Sequence, residues 1–148
     1  MVTLTQLNDV HQTGREMARL VRNYWRDLGT WLGVPFLDFY RHVCALPYVS
    51  DPEGCETVSR PAYTLNPNYT PRDCDDKAVL IASWLHGHGY KCRFVVSSCS
   101  PTRELCHVFV QLKNGVFFDA TYSDYRDFLG SYPYFAKITR LDALTDWI

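Results

Sequence analysis

Pro71-Arg72-Asp73-Cys74-Asp75-Asp76-Lys77-Ala78-Val79-Leu80-Ile81-Ala82-Ser83-Trp84-Leu85 reads as a loop that stops at an aspartate and turns into a helix whose first residue is a cysteine. Asp73 is a good N-cap, because its carboxylate accepts hydrogen bonds from the free N–H groups of the first turn. Asp76, three residues on, stands at the capping-box position. Asp75 and Asp76 also set negative charge against the positive end of the helix dipole. Cys74 then lies beside inward-pointing N–H groups, an environment that lowers a thiol pKa. From Ala78 onward apolar residues cover most of the circumference, so this helix is expected at the centre of the fold. Gly87 and Gly89 mark its end, and His86 and His88 are read there as partners of the negative terminus. Taken alone, the segment is equally a capped helix with a small residue at its start.

Downstream the signal changes to strand. Cys92–Ser98 is short and rich in β-formers, Leu105–Leu112 is a second strand, and Val116–Tyr122 a third. Asn114-Gly115 between the last two is the strongest hairpin signal in the chain. A strict two-residue turn would set Asp119 opposite Val110 and place it on the other face from His107. A three-residue loop, 113–115, with Gly115 in the left-handed region, sets Asp119 opposite Phe109, diagonal to His107 on the same face. Glycine makes that shift cheap. An aspartate inside an apolar strand is costly to bury without a partner. In the shifted register Asp119 can orient the His107 imidazole while His107 accepts a proton from a thiol, the cysteine form of a nucleophile–base–orienter arrangement.

Upstream, Met17, Leu20, Val21, Tyr24, Trp25 and Leu28 recur at helical intervals, giving an amphipathic helix from about Gln12 to Leu28 closed by Gly29. Its apolar stripe is most simply a core-facing surface, with a protein-partner surface as the alternative. A second helix is expected from Val34-Pro35 to Ala45, then a loop with a turn at Asp51–Gly54. The polar, proline-punctuated stretch 56–69 reads as a surface loop. Near the C-terminus, Asp124–Leu129 is expected as a short helix, Tyr134–Thr139 as a strand and Leu141–Ile148 as a helical turn.

A length of 148 residues favours one domain with one sizeable core. The chain is 47% hydrophobic and 15% aromatic, which excludes disorder. A net charge of −1 without a basic block argues against nucleic-acid binding. No apolar run approaches the ~20 residues of a membrane span, and residues 1–22 lack a signal-peptide pattern, so a cytoplasmic location is expected. Cys44, Cys55, Cys74, Cys92, Cys99 and Cys106 are expected as mostly free thiols. Cys92, Cys99, Cys106 and His107 form a weak metal pattern without a close Cys-x-x-Cys pair. No metal and no cofactor are expected.

Asp73-Cys74-Asp75-Asp76-Lys77-Ala78, then His107-Val108-Phe109-Val110, then Phe118-Asp119-Ala120-Thr121, resemble in order and spacing the transglutaminase-like superfamily of papain-related cysteine enzymes. Tyr48-Val49-Ser50-Asp51-Pro52-Glu53-Gly54, Glu56 and Pro61 are similar to the segment before the cysteine in small bacterial and phage members. The resemblance covers about 43–122, leaving an N-terminal helical extension, 1–42, and a C-terminal tail, 123–148. It implies a single α+β domain with a papain-like core, in which a cysteine-bearing helix packs on an antiparallel sheet. By resemblance Cys74 is the nucleophile, His107 the general base and acid, and Asp119 the residue that orients His107. Thioester chemistry on a peptide or protein amide is implied, with the Cys74 N–H in an oxyanion hole and Tyr48 and Tyr69 as alternatives for the second donor. A non-catalytic assembly protein on the same fold, in a phage particle, is the reading from another class; the location is then the virion. Arg72 departs from the glycine that many relatives carry, either narrowing access to Cys74 or favouring its thiolate. Because Asp75 and Asp76 oppose a thiolate, Cys74 is expected to rely on His107 as ion-pair partner more than on the helix dipole.

Overall fold

The computed structural model describes residues 2–3, 9–52, 56–98, 105–121 and 141–148. In chain order these form β1 (Val2–Thr3), α1 (Val10–Tyr24), a 3-10 stretch (Trp25–Gly33), α2 (Phe36–Ala45), β2 (Val58–Ser59), α3 (Pro61–Leu65), α4 (Cys74–Gly87), β3 (Cys92–Ser98), β4 (Leu105–Leu112), β5 (Phe117–Phe118) and β6 (Leu141–Ala143). The fold class is α+β: the helices gather around α4, which also packs on β3 and β4 of a four-stranded antiparallel sheet ordered β5-β4-β3-β6.

Helix α1 begins at Asp9, whose Oδ1 accepts the Gln12 N–H at 2.8 Å. It ends four residues earlier than the periodicity predicts, because the chain tightens into the 3-10 stretch and breaks at Gly29, where φ is +56°. Its Met17, Ala18, Leu20 and Val21 are buried, and α1 packs against α4. The core-facing reading of the stripe is the one the structure shows. Full burial of Met17, Leu20 and Val21 is worth roughly 1.5–3 kcal/mol each, whereas the exposed Glu16–Arg19 pair (2.6 Å) adds well under about 1 kcal/mol. Burial therefore docks this helix. In α2, Pro35 stands at the N-cap and Phe39, Tyr40, Val43 and Cys44 face the core.

Three expectations fail for physical reasons. The stretch 56–69 is not a surface loop: Thr57, Val58, Ser59, Pro61 and Thr64 are buried, β2 pairs with β1, and Pro61 opens α3. The proline that looked like loop punctuation suits the first turn of a helix equally well, and Arg60 fastens it to the 3-10 stretch through a fork on Asp27 (2.7 and 2.8 Å). Second, Leu141–Ile148 is not a helical turn. Residues 141–143 pair antiparallel with β3, and the chain continues with Leu144 N–H on Phe94 O (2.9 Å) and Ile148 N–H on Cys92 O (2.7 Å). Eight residues cannot hold a helix alone, while β3 without β6 would have an open edge. Third, His88 serves the helix terminus through its main-chain N–H, on Trp84 O and Leu85 O (3.2 Å each), and not through its ring, which bonds Leu32 O (2.7 Å), stacks on Trp84 and so bolts the end of α4 to the 3-10 stretch. The Asp124–Leu129 and Tyr134–Thr139 expectations, and residues 53–55 at the Asp51–Gly54 turn, lie outside the described residues.

The hairpin takes the three-residue loop. Val110 faces Phe118 and Gln111 faces Phe117, Leu112 N–H donates to Val116 O (2.8 Å), and Gly115 has φ +98°. This register sets Asp119 across from Phe109, as the left-handed glycine requires. Among the described residues no helix is long and apolar enough to cross a membrane.

Candidate active site

Residues from four elements meet at the start of α4. His107 is on β4, directly opposite Ser97 of β3. Asp119 follows β5 and is 1% exposed, and its Oδ2 lies 2.6 Å from His107 Nε2. Its Oδ1 accepts the Thr121 N–H at 3.0 Å. The main chain of Asp119 is clamped from below by α2: the Tyr40 hydroxyl donates to Asp119 O at 2.8 Å and accepts the Asp119 N–H at 3.1 Å. Both carboxylate oxygens and both main-chain groups of Asp119 are thus fixed.

Burial alone would push the His107 pKa down. Hydrogen bonds to Asp119 and to the Cys74 side chain, together with the negative charge of both, override this and raise it to about 10. For Asp119 burial works the other way, and the bond and charge of His107, with the Thr121 N–H, hold its carboxyl below the usual carboxylate range. His107 is thus bonded to Asp119 and lies close enough to Cys74 to feel its side chain and charge. Cys74 is partly exposed, whereas Cys44 and Cys92 are buried thiols pushed up to about 12 by desolvation. Cys92 pairs with Leu112 at the far end of the hairpin, five residues or roughly 17 Å from Ser97. It cannot share a metal ion with His107.

The acidic first turn corrects the expected charge. Asp73 and Asp76 form the capping box, and Asp76 also accepts the Ser59 N–H at 2.9 Å. Asp73, Asp75 and Asp76 are all buried, with one carboxylate oxygen of each within 4.8 Å of the others. Burial and mutual repulsion push Asp75 and Asp76 well above the usual carboxylate range. Asp76 accepts two backbone N–H groups, which favour its charged form, while Asp75 Oδ1 and Asp73 Oδ1 have no donor. The first turn accordingly carries less negative charge than three aspartates suggest, and opposes a thiolate at Cys74 less than the sequence implies.

Arg72 neither lines the approach to Cys74 nor directs its charge at the sulfur. Its guanidinium is buried in a cage of carbonyls: Nε on Thr64 O (2.9 Å), Nη1 on Pro47 O (3.2 Å), and Nη2 on Asn66 O (2.8 Å) and Tyr69 O (3.3 Å). Its main chain pairs with Val49. The residue stitches the segment 47–49 and the segment 64–69 to the chain entering α4. Of the two oxyanion-donor alternatives, Tyr48 is the one that feels the charge of Cys74: burial, then the charges of Cys74 and Asp73, push its phenol up to about 12, although 48% of the residue stays exposed. Tyr69 packs its ring on Tyr63, centroids 5.5 Å apart.

Sequence reasoning missed Tyr40, Lys77 and Thr121. Lys77 follows Asp75-Asp76 and stands just ahead of the apolar run of α4, where it reads as one more surface charge. Tyr40 offered no signal beyond its place in the buried stripe of α2. Compared with family models, curated proteins and solved structures, the chain matches none.

Proposed function

We propose that this chain is a thiol hydrolase or acyltransferase acting on a peptide or protein amide, built on the papain-related, transglutaminase-like core that its motifs resemble. The observation that carries the reading is His107 bonded to the buried Asp119 on one side, with the side chain and charge of the partly exposed Cys74 acting on it from the other. The Cys74 thiolate attacks the amide carbonyl carbon, a C–S bond forms, and the oxyanion meets the N–H of Cys74, which as a first-turn amide has no intrahelical acceptor. Tyr48 is the better placed second donor. As the C–N bond breaks, the His107 imidazolium protonates the departing amine. Water, giving its proton to His107, then attacks the thioester and releases the carboxylic acid and the thiolate; an amine in place of water gives a new amide. Asp119, buried and ionised, holds the imidazole in the tautomer and orientation that both steps need.

Iodoacetamide labelling of the folded protein at neutral pH, mapped by mass spectrometry, tests the reading. Cys74 is expected to react well ahead of Cys44 and Cys92, and His107→Ala to slow it. Equal or absent labelling of Cys74 refutes a thiol enzyme. Full biological activity of Cys74→Ala would favour the assembly-protein reading instead.

A further inference from the structure

Lys77 lies three residues after Cys74 on α4 and is 1% exposed. Burying a lysine is costly unless its charge is compensated, yet among the described residues its direct bond is Nζ to Cys44 O at 3.3 Å, long for a charged donor. What this bond connects explains the placement. Cys44 ends the buried face of α2, and one turn earlier on the same helix Tyr40 clamps the main chain of Asp119. Asp119 holds His107, His107 meets Cys74, and Cys74 begins the helix that carries Lys77. The contacts form a closed ring, Cys74–His107–Asp119–Tyr40–α2–Cys44–Lys77, in which the lysine supplies a polar link between the nucleophile's helix and the helix clamping Asp119, beside the Phe36–Trp84 ring contact (centroids 5.1 Å).

We propose that Lys77 is a positioning residue for the Cys74–His107–Asp119 unit: its buried ammonium ties the nucleophile helix to the α2 clamp and supports the Asp119 carboxylate through space. This rests on the thiol-enzyme reading above. The groups that face the ammonium are Cys44 on α2, Asp119 beyond β5 and Arg72 ahead of α4. Burial pushes Lys77 down to about 8, Cys44 and Asp119 oppose that, and Arg72 adds to it. His107 keeps its proton to about 10. Between these two values the ring loses its cation while the histidine stays protonated, so the two contributions separate along the pH axis.

The experiment is the rate of Cys74 alkylation by iodoacetamide between pH 6 and 10 in the wild type, Lys77→Arg and Lys77→Met, with circular dichroism to confirm folding. The wild-type rate is expected to fall as Lys77 loses its proton. Lys77→Arg is expected to hold its rate through that window, and Lys77→Met to be about tenfold slower across the range. A folded Lys77→Met with the wild-type profile overturns the proposal, as does a Lys77→Arg profile that falls where the wild type falls. If Lys77→Met does not fold, Lys77→Arg still decides. Independently, the Lys77 side chain is titrated by NMR in the wild type and in Asp119→Asn. Its midpoint is expected to drop by about one pH unit without the aspartate charge, and an unmoved midpoint overturns the proposal. Failure of wild-type Cys74 to label ahead of Cys44 and Cys92 refutes the thiol-enzyme reading, whereas the NMR coupling of Lys77 to Asp119 is read without any reaction at Cys74.

Discussion

Tyr40→Phe isolates the clamp on Asp119. The phenyl ring can keep its place between Phe36 and Phe118, centroids 5.7 and 5.9 Å away, so no cavity is created. What disappears is the donor to Asp119 O (2.8 Å) and the acceptor for Asp119 N–H (3.1 Å). A buried polar group left without its partner costs about 1–3 kcal/mol. For two, less the relief of no longer burying a hydroxyl, we expect a loss of about 2–4 kcal/mol. For a chain of this size each kcal/mol moves the melting temperature by about 2–4 °C, so the variant should melt about 4–16 °C below the wild type. Burial and nearby negative groups push the Tyr40 phenol above its ordinary value, so the hydroxyl keeps its proton and the gap should be constant from pH 6 to 9. Calorimetry gives the stability. The rate of Cys74 alkylation gives the geometry, since an aspartate free to shift by ~1 Å no longer aims His107 and should slow the reaction about 10–100-fold. A variant melting within 1 °C or so of the wild type would show that the clamp contributes nothing. One that is destabilised but reacts at the full rate would show that it does not position the site.

For His107, whose folded pKa is raised to about 10, the ion pair stabilises the fold fully below the unfolded value of ~6.5 and is lost as pH rises through about 10. The melting gap between wild type and Asp119→Asn should therefore be widest near pH 6 and narrow towards pH 10; a gap that widens instead contradicts the pairing. Asp75 has its folded pKa raised, so its ionisation opposes folding above the unfolded value of ~3.9. Asp75→Asn, which keeps a donor for Asp73, should be more stable than the wild type at pH 7, with the advantage shrinking as pH falls towards 4; urea unfolding at both pH values checks this. Arg72→Lys replaces a planar fork by a point charge that cannot reach four carbonyls, and should lose about 1–3 kcal/mol with faster proteolytic cleavage in 64–69.

Much of the site was legible because its geometry is local. Gly115 sets the hairpin register, and the register alone decides that Asp119 shares a face with His107. Asp73 and Asp76 announce the start of α4, and the apolar run after them announces its depth. What could not be read depends on partners distant in sequence. The β6 pairing lies more than forty residues from β3, and its own three residues have no pattern strong enough to show it. The raised pKa values of Asp75 and Asp76 follow from β2 and the cap closing over three carboxyls, and sequence shows the charges without their burial. Tyr40 and Lys77 look like a core aromatic and a stray surface cation until Asp119 and Cys44 are placed against them.

The cage around Arg72 has a consequence for how this surface can change over time. All four of its acceptors are main-chain carbonyls, contributed by Pro47, Thr64, Asn66 and Tyr69. Main-chain groups survive substitution, so the shape of the segments beside Cys74 is inherited from one buried arginine and not from the side chains those segments display. Selection, or a library of variants at Tyr48, Tyr63 and Tyr69, can alter the side chains these segments display while the backbone that carries them stays where it is.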